Sequence, residues 1–309
     1  MMSDRPDKPL ISTVITTCYR NNLLRDAIQS VLSLRYDPVE IIVVDDSGEE
    51  NARPVVEEFP GVVYVPLECN RGVDAARNVG IDRSSGEYVQ FLDDDDRLCE
   101  DKIEKQLPLF DDTIGVVLSS SRVIDTGDIR VPDMELRGDV VEYALRTRPS
   151  PAFCSLLIRR TVLDEVLPLP DNRGRADIDI LIIELGLRTE FDFVPEPLVE
   201  IRLDEEKEYS LKDYPKMGRD SRRILLKRYQ TLYDEYPEDV RKEVLTKIYR
   251  DRASHHIHSS LWSPSAIRSY IWLTLHDKEK RRNHALALVA ALFGRPGFVT
   301  GKYIYNKLK

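Results

Sequence analysis

The chain has 309 residues, 42% hydrophobic and 32% charged, with a formal net charge of −9 at pH 7. That length supports one substantial core with an extension, and the composition predicts a soluble chain. The negative balance excludes a broad nucleic-acid-binding face, and the lack of any apolar run of 18 residues predicts neither a membrane-spanning helix nor an apolar leader.

The first hundred residues alternate short apolar runs with amphipathic stretches. "LISTVITT" (10–17) predicts a buried strand. "NNLLRDAIQSVLSL" (21–34) places Leu24, Ala27, Ile28, Val31 and Leu32 at helical spacing. "VEIIVVDDS" (39–47) predicts a second buried strand, followed by a helix near 52–59 and a strand at 62–67. A helix over 73–85 ends before Gly86, and "EYVQFL" (87–92) is another strand. Strand–helix alternation of this kind implies a mostly parallel sheet covered on both faces. From 100 to about 205 the pattern is mixed. It predicts a helix near 100–110, a strand at 114–121 running into a hairpin, a strand at 151–160, a helix at 177–189 and one or two strands at 190–203. Beyond Asp204 three helical segments are predicted, at 212–235, 238–260 and 264–293, with prolines near their boundaries. The expected organisation is therefore a domain over 1–205, with halves at about 10–98 and 99–205, and a helical extension over 206–309.

The chemistry concentrates at strand ends, where parallel sheets bind their ligands. Asp45 and Asp46 follow "IIVV", and Asp93 to Asp96 follow "YVQFL". Four adjacent carboxylates need a cation nearby, or one of them must take up a proton. If extended geometry continues past Leu92, Asp93 and Asp95 point the same way, because strand side chains alternate. Paired hard oxygen ligands suit Mg²⁺ or Mn²⁺ shared with substrate phosphates. The competing reading is a solvated acidic loop that caps the following helix. Cys18, Cys69, Cys99 and Cys154 are scattered without a CxxC pair, so neither a disulfide framework nor a zinc site is predicted, and a reducing cytoplasm is the default.

Taken in order, "STVITTCYRNNLLRDAIQSVLS", "EIIVVDDSG" and "NRGVDAARNVGIDRSSGEYVQFLDDDD" resemble family-two glycosyltransferases of GT-A fold, over about residues 10 to 203. The resemblance implies a nucleotide-diphosphate sugar donor and inverting transfer to an acceptor hydroxyl. On matching positions it puts Thr17 and Tyr19 near the nucleotide, Asp46 on the base or ribose, and Arg77 on the nucleotide or its phosphates. Asp93 and Asp95 become the D-x-D pair for Mn²⁺ or Mg²⁺, with Asp95 the direct metal ligand and Asp94 a competitor for that register. The family often carries Glu-Asp at the start of a later helix, its Asp acting as general base. Here the pair is Ala176-Asp177, so Asp177 is the candidate base and Asp179 the runner-up. A plain helix N-terminal carboxylate is the alternative for Asp177. The resemblance also implies a UDP-sugar donor and a glycan acceptor, free or linked to polyprenyl (dolichol) phosphate, in cell-surface polysaccharide or protein N-glycosylation. The chain carries 31 Arg to 14 Lys and 31 Asp to 23 Glu, which allows an archaeal as well as a bacterial pathway. A non-catalytic nucleotide-sugar or glycan-binding scaffold is the second hypothesis, and the missing Glu at position 176 is its support.

Two features lie outside that resemblance. "HHIH" (255–258) lacks partner ligands and predicts ordinary histidines rather than a metal site. "HALALVAALF" (284–293) spans about 15 Å as a helix, half of a ~30 Å hydrocarbon core, and is followed by Arg295, Lys302, Lys307 and Lys309. The segment 284–309 is expected either to lie in a membrane interface on the cytoplasmic face or to pack on the domain.

Overall fold

The structure is a computed structural model that describes residues 8–132, 135–147, 149, 151–169, 177–202, 223–259 and 263–293, without the side chains of Asp177 and 255–259. The chain divides into two compact units. One comprises Met1–Ala144 and Arg148–Leu203, the other Leu145–Thr147 and Asp204–Lys309.

The first unit runs β1 (Ile11–Thr17), α1 (Asn21–Leu32), β2 (Val39–Asp45), α2 (Arg53–Val56), β3 (Val63–Pro66), α3 (Val73–Asp82), β4 (Tyr88–Asp93), β5 (Arg97–Leu98), α4 (Lys102–Gln106), β6 (Ile114–Val123), β7 (Ile129–Arg130), α5 (Val141–Thr147), β8 (Leu157–Arg159), α6 (Arg160–Asp164), α7 (Asp177–Gly186) and β9 (Glu190–Ile201). The sheet order is β3-β2-β1-β4-β8-β6-β9-β5, with β7 hairpinned onto β6. Parallel pairing of β1 with β2 and β4, of β2 with β3 and of β6 with β9, together with antiparallel β8 between β4 and β6, sets six strands in one direction. All seven residues of β1 are buried, as expected for a central strand covered on both faces.

Helix α1 turns Leu24, Ala27, Ile28 and Val31 into one core cluster with Ile15, Val43, Leu92 and Val199. Helix α3 lies close against β1 because position 80 is glycine. A Cβ there would sit 2.3 Å from Val14 Cγ1.

Two of the predicted elements that differ in the structure do so for a clear physical reason. Of the strand expected over 151–160, only Leu157–Arg159 pairs, while Phe153–Ser155 forms a 3-10 turn. Side-chain amides take the carbonyls of that turn: Gln90 Nε2 donates to Cys154 O at 2.8 Å and Gln106 Nε2 to Ser155 O at 3.0 Å. In the second unit the helix expected over 264–293 is two helices. The breaking residue is Asp277, whose carboxylate accepts from Lys280 N and pairs with Arg250 and His284.

That second unit contains helical residues 223–228, α8 (Gln230–Glu235), α9 (Glu238–Ser259), α10 (Pro264–His276) and α11 (Arg281–Leu292). Ser263 caps α10 by accepting from Ala266 N, with Pro264 at the first helical position. Ala253, Ala266, Tyr270, Leu273 and Ala291 form one of its buried apolar clusters. The Tyr249 ring stacks on Trp272, which stacks on His276. Helix α11 buries His284 and Ala291 and leaves Leu286, Val289 and Leu292 exposed, as is Phe293 just beyond it. Among the described residues no helix is long and apolar enough to cross a membrane. The side chains of "HHIH" and the basic end 294–309 lie outside the described residues.

Candidate active site

The register of the sheet brings the two acidic strand ends together. Thr17 pairs with Asp45 on one side of β1, and Thr16 pairs with Asp93 on the other. The chain leaves β1 toward β2 but returns from β3 to β4 on the opposite flank. The carboxyl end of β1 is thus a topological switch point, where open α/β sheets hold ligands.

The first acidic pair divides its labour. Asp45 is structural: it accepts from Ser47 N, Ala52 N and the Tyr64 hydroxyl and so fixes the turn after β2. Asp46 reaches across to the loop before α3, accepting from Arg71 N at 2.7 Å and Gly72 N at 2.8 Å. Tyr19 has φ 58°, a left-handed backbone that bulky residues rarely adopt. Its hydroxyl donates to Ser47 O at 3.0 Å and its side chain stays 54% exposed, so the ring is tied to the turn after β2 with much of its surface open to solvent.

The second acidic group is a turn. Strand β4 stops at Asp93, and Asp96 N donates back to Asp93 O at 3.1 Å. The expected alternation past Leu92 therefore does not hold, and the turn, not strand geometry, does the gathering. Oxygens of Asp93, Asp95 and Asp96 lie within 4.8 Å of one another. Asp94 is set apart and fully buried, accepting from Thr17 Oγ1 at 2.7 Å. Arg20 pairs with both Asp94 (2.9 Å) and Asp95 (2.6 Å). Arg77 is buried in α3, pairs with Asp74 (3.1 Å) and Asp93 (2.9 Å), and lies 3.8 Å from the centroid of the Phe153 ring. Asp96 accepts from Arg202 N and from the Cys154 thiol.

Crowding shifts these acids. Burial pushes Asp94 up to about 7, against the pull of Arg20 and the Thr17 hydroxyl. Burial, with Asp93 and Asp95 adding repulsion, pushes Asp96 up to about 7. Burial opposes the charge on Arg20, but Asp94 and Asp95 outweigh it and raise its pKa. Three converging hard oxygens suit a divalent cation of the Mg²⁺ or Mn²⁺ kind, so the residues present fit such an ion.

Beneath the site lies a wholly buried lysine. Lys102 Nζ donates to Gln90 Oε1 and Gln106 Oε1, and those two amides hold the Phe153–Ser155 turn that presents Phe153 to Arg77 and Cys154 to Asp96. Burial lowers the Lys102 amine to about 7. It also raises the thiols of Cys154 and Cys99, so neither supplies a counter-charge near neutral pH. The unfolded lysine titrates near ~10.4, so between about 7 and ~10 the unfolded chain binds a proton that the folded chain does not. Stability from this group thus rises with pH across that window. Thermal melts at pH 7, 8, 9 and 10 are expected to show wild type gaining on Lys102→Met, by on the order of a few kcal/mol in total. Melting curves that keep a constant offset would refute this assignment.

Asp177 begins α7, with its side chain outside the described residues, and Asp179 is wholly buried. A cavity of about 500 Å³ in the second unit is lined by charged groups of both signs, among which Arg146 pairs with Asp239 and Glu243, and Arg250 with Asp277. It contains none of the strand-end carboxylates. Sequence reasoning did not single out Arg20, Phe153 or Cys154, and it kept Asp96 within the acidic run without a role of its own. Arg20 stood inside a quoted stretch, but nothing in the sequence links Cys154 to an aspartate 58 positions earlier.

The profile described as Glycosyl transferase family 2 matches residues 12–166, half of the chain. The chain belongs to glycosyl transferase family 2. A relative in that family, the putative teichuronic acid biosynthesis glycosyltransferase TuaG of Bacillus subtilis (strain 168), is 37% identical over 106 residues, which are 32% of this chain and 41% of TuaG. The match thus spans less than half of that relative's length. Among solved structures, S. aureus TarS 1–349 in complex with UDP-GlcNAc aligns with TM-score 0.60 and 15% identity, covering 97% of this chain and 92% of that one. The mannosyltransferase PcManGT from Pyrobaculum calidifontis, in complex with GDP-Man and Mn²⁺, aligns with TM-score 0.58 and 16% identity, covering 96% and 87%. At such identities these neighbours show the fold, which is GT-A: a curled, mixed sheet with six of nine strands in one direction and helices on its faces.

Proposed function

We propose that the chain transfers a sugar from a nucleotide-diphosphate sugar to a hydroxyl of a glycan acceptor, with a divalent cation and with inversion at the sugar carbon. The observation that carries this reading is the acidic turn Asp93, Asp95 and Asp96 at the switch point, with Arg77 beside it and Thr17, Tyr19 and Asp46 across the β1 end. Tyr19 offers its ring to a base, and Asp46 orders the loop that borders the nucleotide. Asp93, Asp95 and Asp96 would hold Mn²⁺ or Mg²⁺, which when bound neutralises the charge of a diphosphate leaving group. Arg77, already fixed by Asp74 and by the Phe153 ring, holds a second positive charge there without reorganising. Asp177 takes the proton of the acceptor hydroxyl, a role worth ~10²–10⁴-fold for a well-placed base.

UDP-sugar is the favoured donor. Growing glycan, free or on a polyprenyl (dolichol) phosphate, is the favoured acceptor, in cell-surface polysaccharide assembly or protein N-glycosylation. Peripheral contact with the cytoplasmic face of a membrane through 284–309 belongs to the same reading, and the exposed Leu286, Val289, Leu292 and Phe293 support it. The test is calorimetric titration of UDP and GDP into the full chain, with Mn²⁺ and with chelator. Metal-dependent binding of one nucleotide is the expected result and narrows the donor to its conjugates. Binding of the nucleotide with no turnover of any of its sugar conjugates would favour the scaffold instead. Absence of nucleotide binding by the folded protein would overturn the donor site.

A further inference from the structure

The guanidinium of Arg20 spans two carboxylates of very different character. Nη2 sits 2.9 Å from Oδ1 of Asp94, and Nη1 sits 2.6 Å from Oδ2 of Asp95. Asp94 is sealed: it has no exposure and Thr17 Oγ1 holds its other oxygen. It takes no part in the converging group. Asp95 does take part, with Asp93 and Asp96. Arg20 itself is a third exposed and directly follows Tyr19.

One oxygen cluster thus meets two claims on the same carboxylate. A guanidinium 2.6 Å from Asp95 and a divalent ion coordinated by Asp95 would stand only a few ångströms apart, and like charges at that range repel strongly away from bulk water. The Asp94 end of the pair is different. It is wholly buried, so solvent and added ions do not compete with Arg20 there.

We propose that Arg20 is a resident counter-cation of the acidic turn, anchored on Asp94, which yields Asp95 to a divalent metal ion and then contacts the donor diphosphate. This rests on the reading of the turn as the cation and donor site. The exchange makes metal and nucleotide binding cooperative: the ion alone must displace Arg20, whereas with a diphosphate present the displaced guanidinium gains a new anionic partner. Arg20 is therefore a specificity device against the free ion and in favour of the metal–nucleotide pair.

The test is calorimetry of the full-length chain with Mn²⁺ alone, and then with UDP and with GDP at saturating Mn²⁺. Wild type is compared with Arg20→Ala and with Arg20→Gln, which keeps hydrogen-bonding reach without the charge. Circular dichroism checks the fold. Removing the competing charge is expected to tighten Mn²⁺ binding alone by about tenfold and to weaken Mn²⁺-dependent nucleotide binding by about tenfold, a change of sign between the two titrations. A merely structural ion pair predicts weaker binding in both. Unchanged or weaker Mn²⁺ affinity in a folded Arg20→Gln or Arg20→Ala protein, with wild type binding both ligands, would overturn the exchange alone. A wild type that binds neither Mn²⁺ nor nucleotide would overturn the donor-site reading and the exchange with it.

Discussion

Asp95→Ala is expected to lower sugar transfer by ~10²–10³-fold or more, the scale on which a lost electrostatic contact to a developing charge acts. Asp95 is the member of the acidic turn that is both buried and shared between the Asp93–Asp96 group and Arg20. Its removal takes an oxygen from that group and leaves Arg20 paired with Asp94. The same substitution relieves repulsion in a run whose buried members Asp94 and Asp96 are already pushed up to about 7. The melting temperature in chelator should therefore hold or rise while activity falls, the pattern of a residue kept for function at some expense in stability. Turnover of a UDP- or GDP-sugar, paired with a thermal melt, checks both halves. A variant with normal turnover would remove Asp95 from the metal assignment, and one that loses activity only because it unfolds would show it in the melt.

For Asp177→Asn the expected result separates binding from chemistry. The amide cannot take the acceptor's proton, so kcat should fall by ~10²–10⁴-fold, while the affinity for nucleotide stays within about twofold of wild type. Position favours Asp177 over its neighbour. It is the first residue of α7, whereas Asp179 is wholly buried with an interaction of its own. Asp179→Asn should accordingly show its effect in a thermal melt before it shows in turnover. Steady-state kinetics beside calorimetry on the two variants decides between them, and full activity in Asp177→Asn would pass the role of base to another group.

The parts of the fold that could be read in advance are those where one physical signal dominates. The runs "LISTVITT", "VEIIVVD" and "YVQFL" are buried on both faces, so hydrophobicity alone marks them, and the helical spacing of Leu24, Ala27, Ile28 and Val31 has no competing explanation. Acidic residues at the ends of such strands then share a rim by topology. What could not be read depends on long-range partners. The 3-10 turn at Phe153–Ser155 exists because amides from β4 and α4 take its carbonyls. The aspartate run turns instead of extending, so the grouping of Asp93 with Asp95 has a different cause from the alternation that suggested it. Asp96 enters the group with Cys154 and Arg202, residues far along the chain. The break between α10 and α11 turned on Asp277 finding Arg250 and His284, where composition alone suggested one continuous helix.

The flush register around β1 has a consequence for how such a protein diversifies. Thr17 with Asp45 and Thr16 with Asp93 occupy two successive rungs of a rigid ladder, although the chain visits them far apart. Insertions, deletions and substitutions can therefore accumulate in the connections that leave the rim without disturbing the spacing of the strand ends. A change of specificity can be acquired in such connections while the geometry of the strand ends is inherited unchanged.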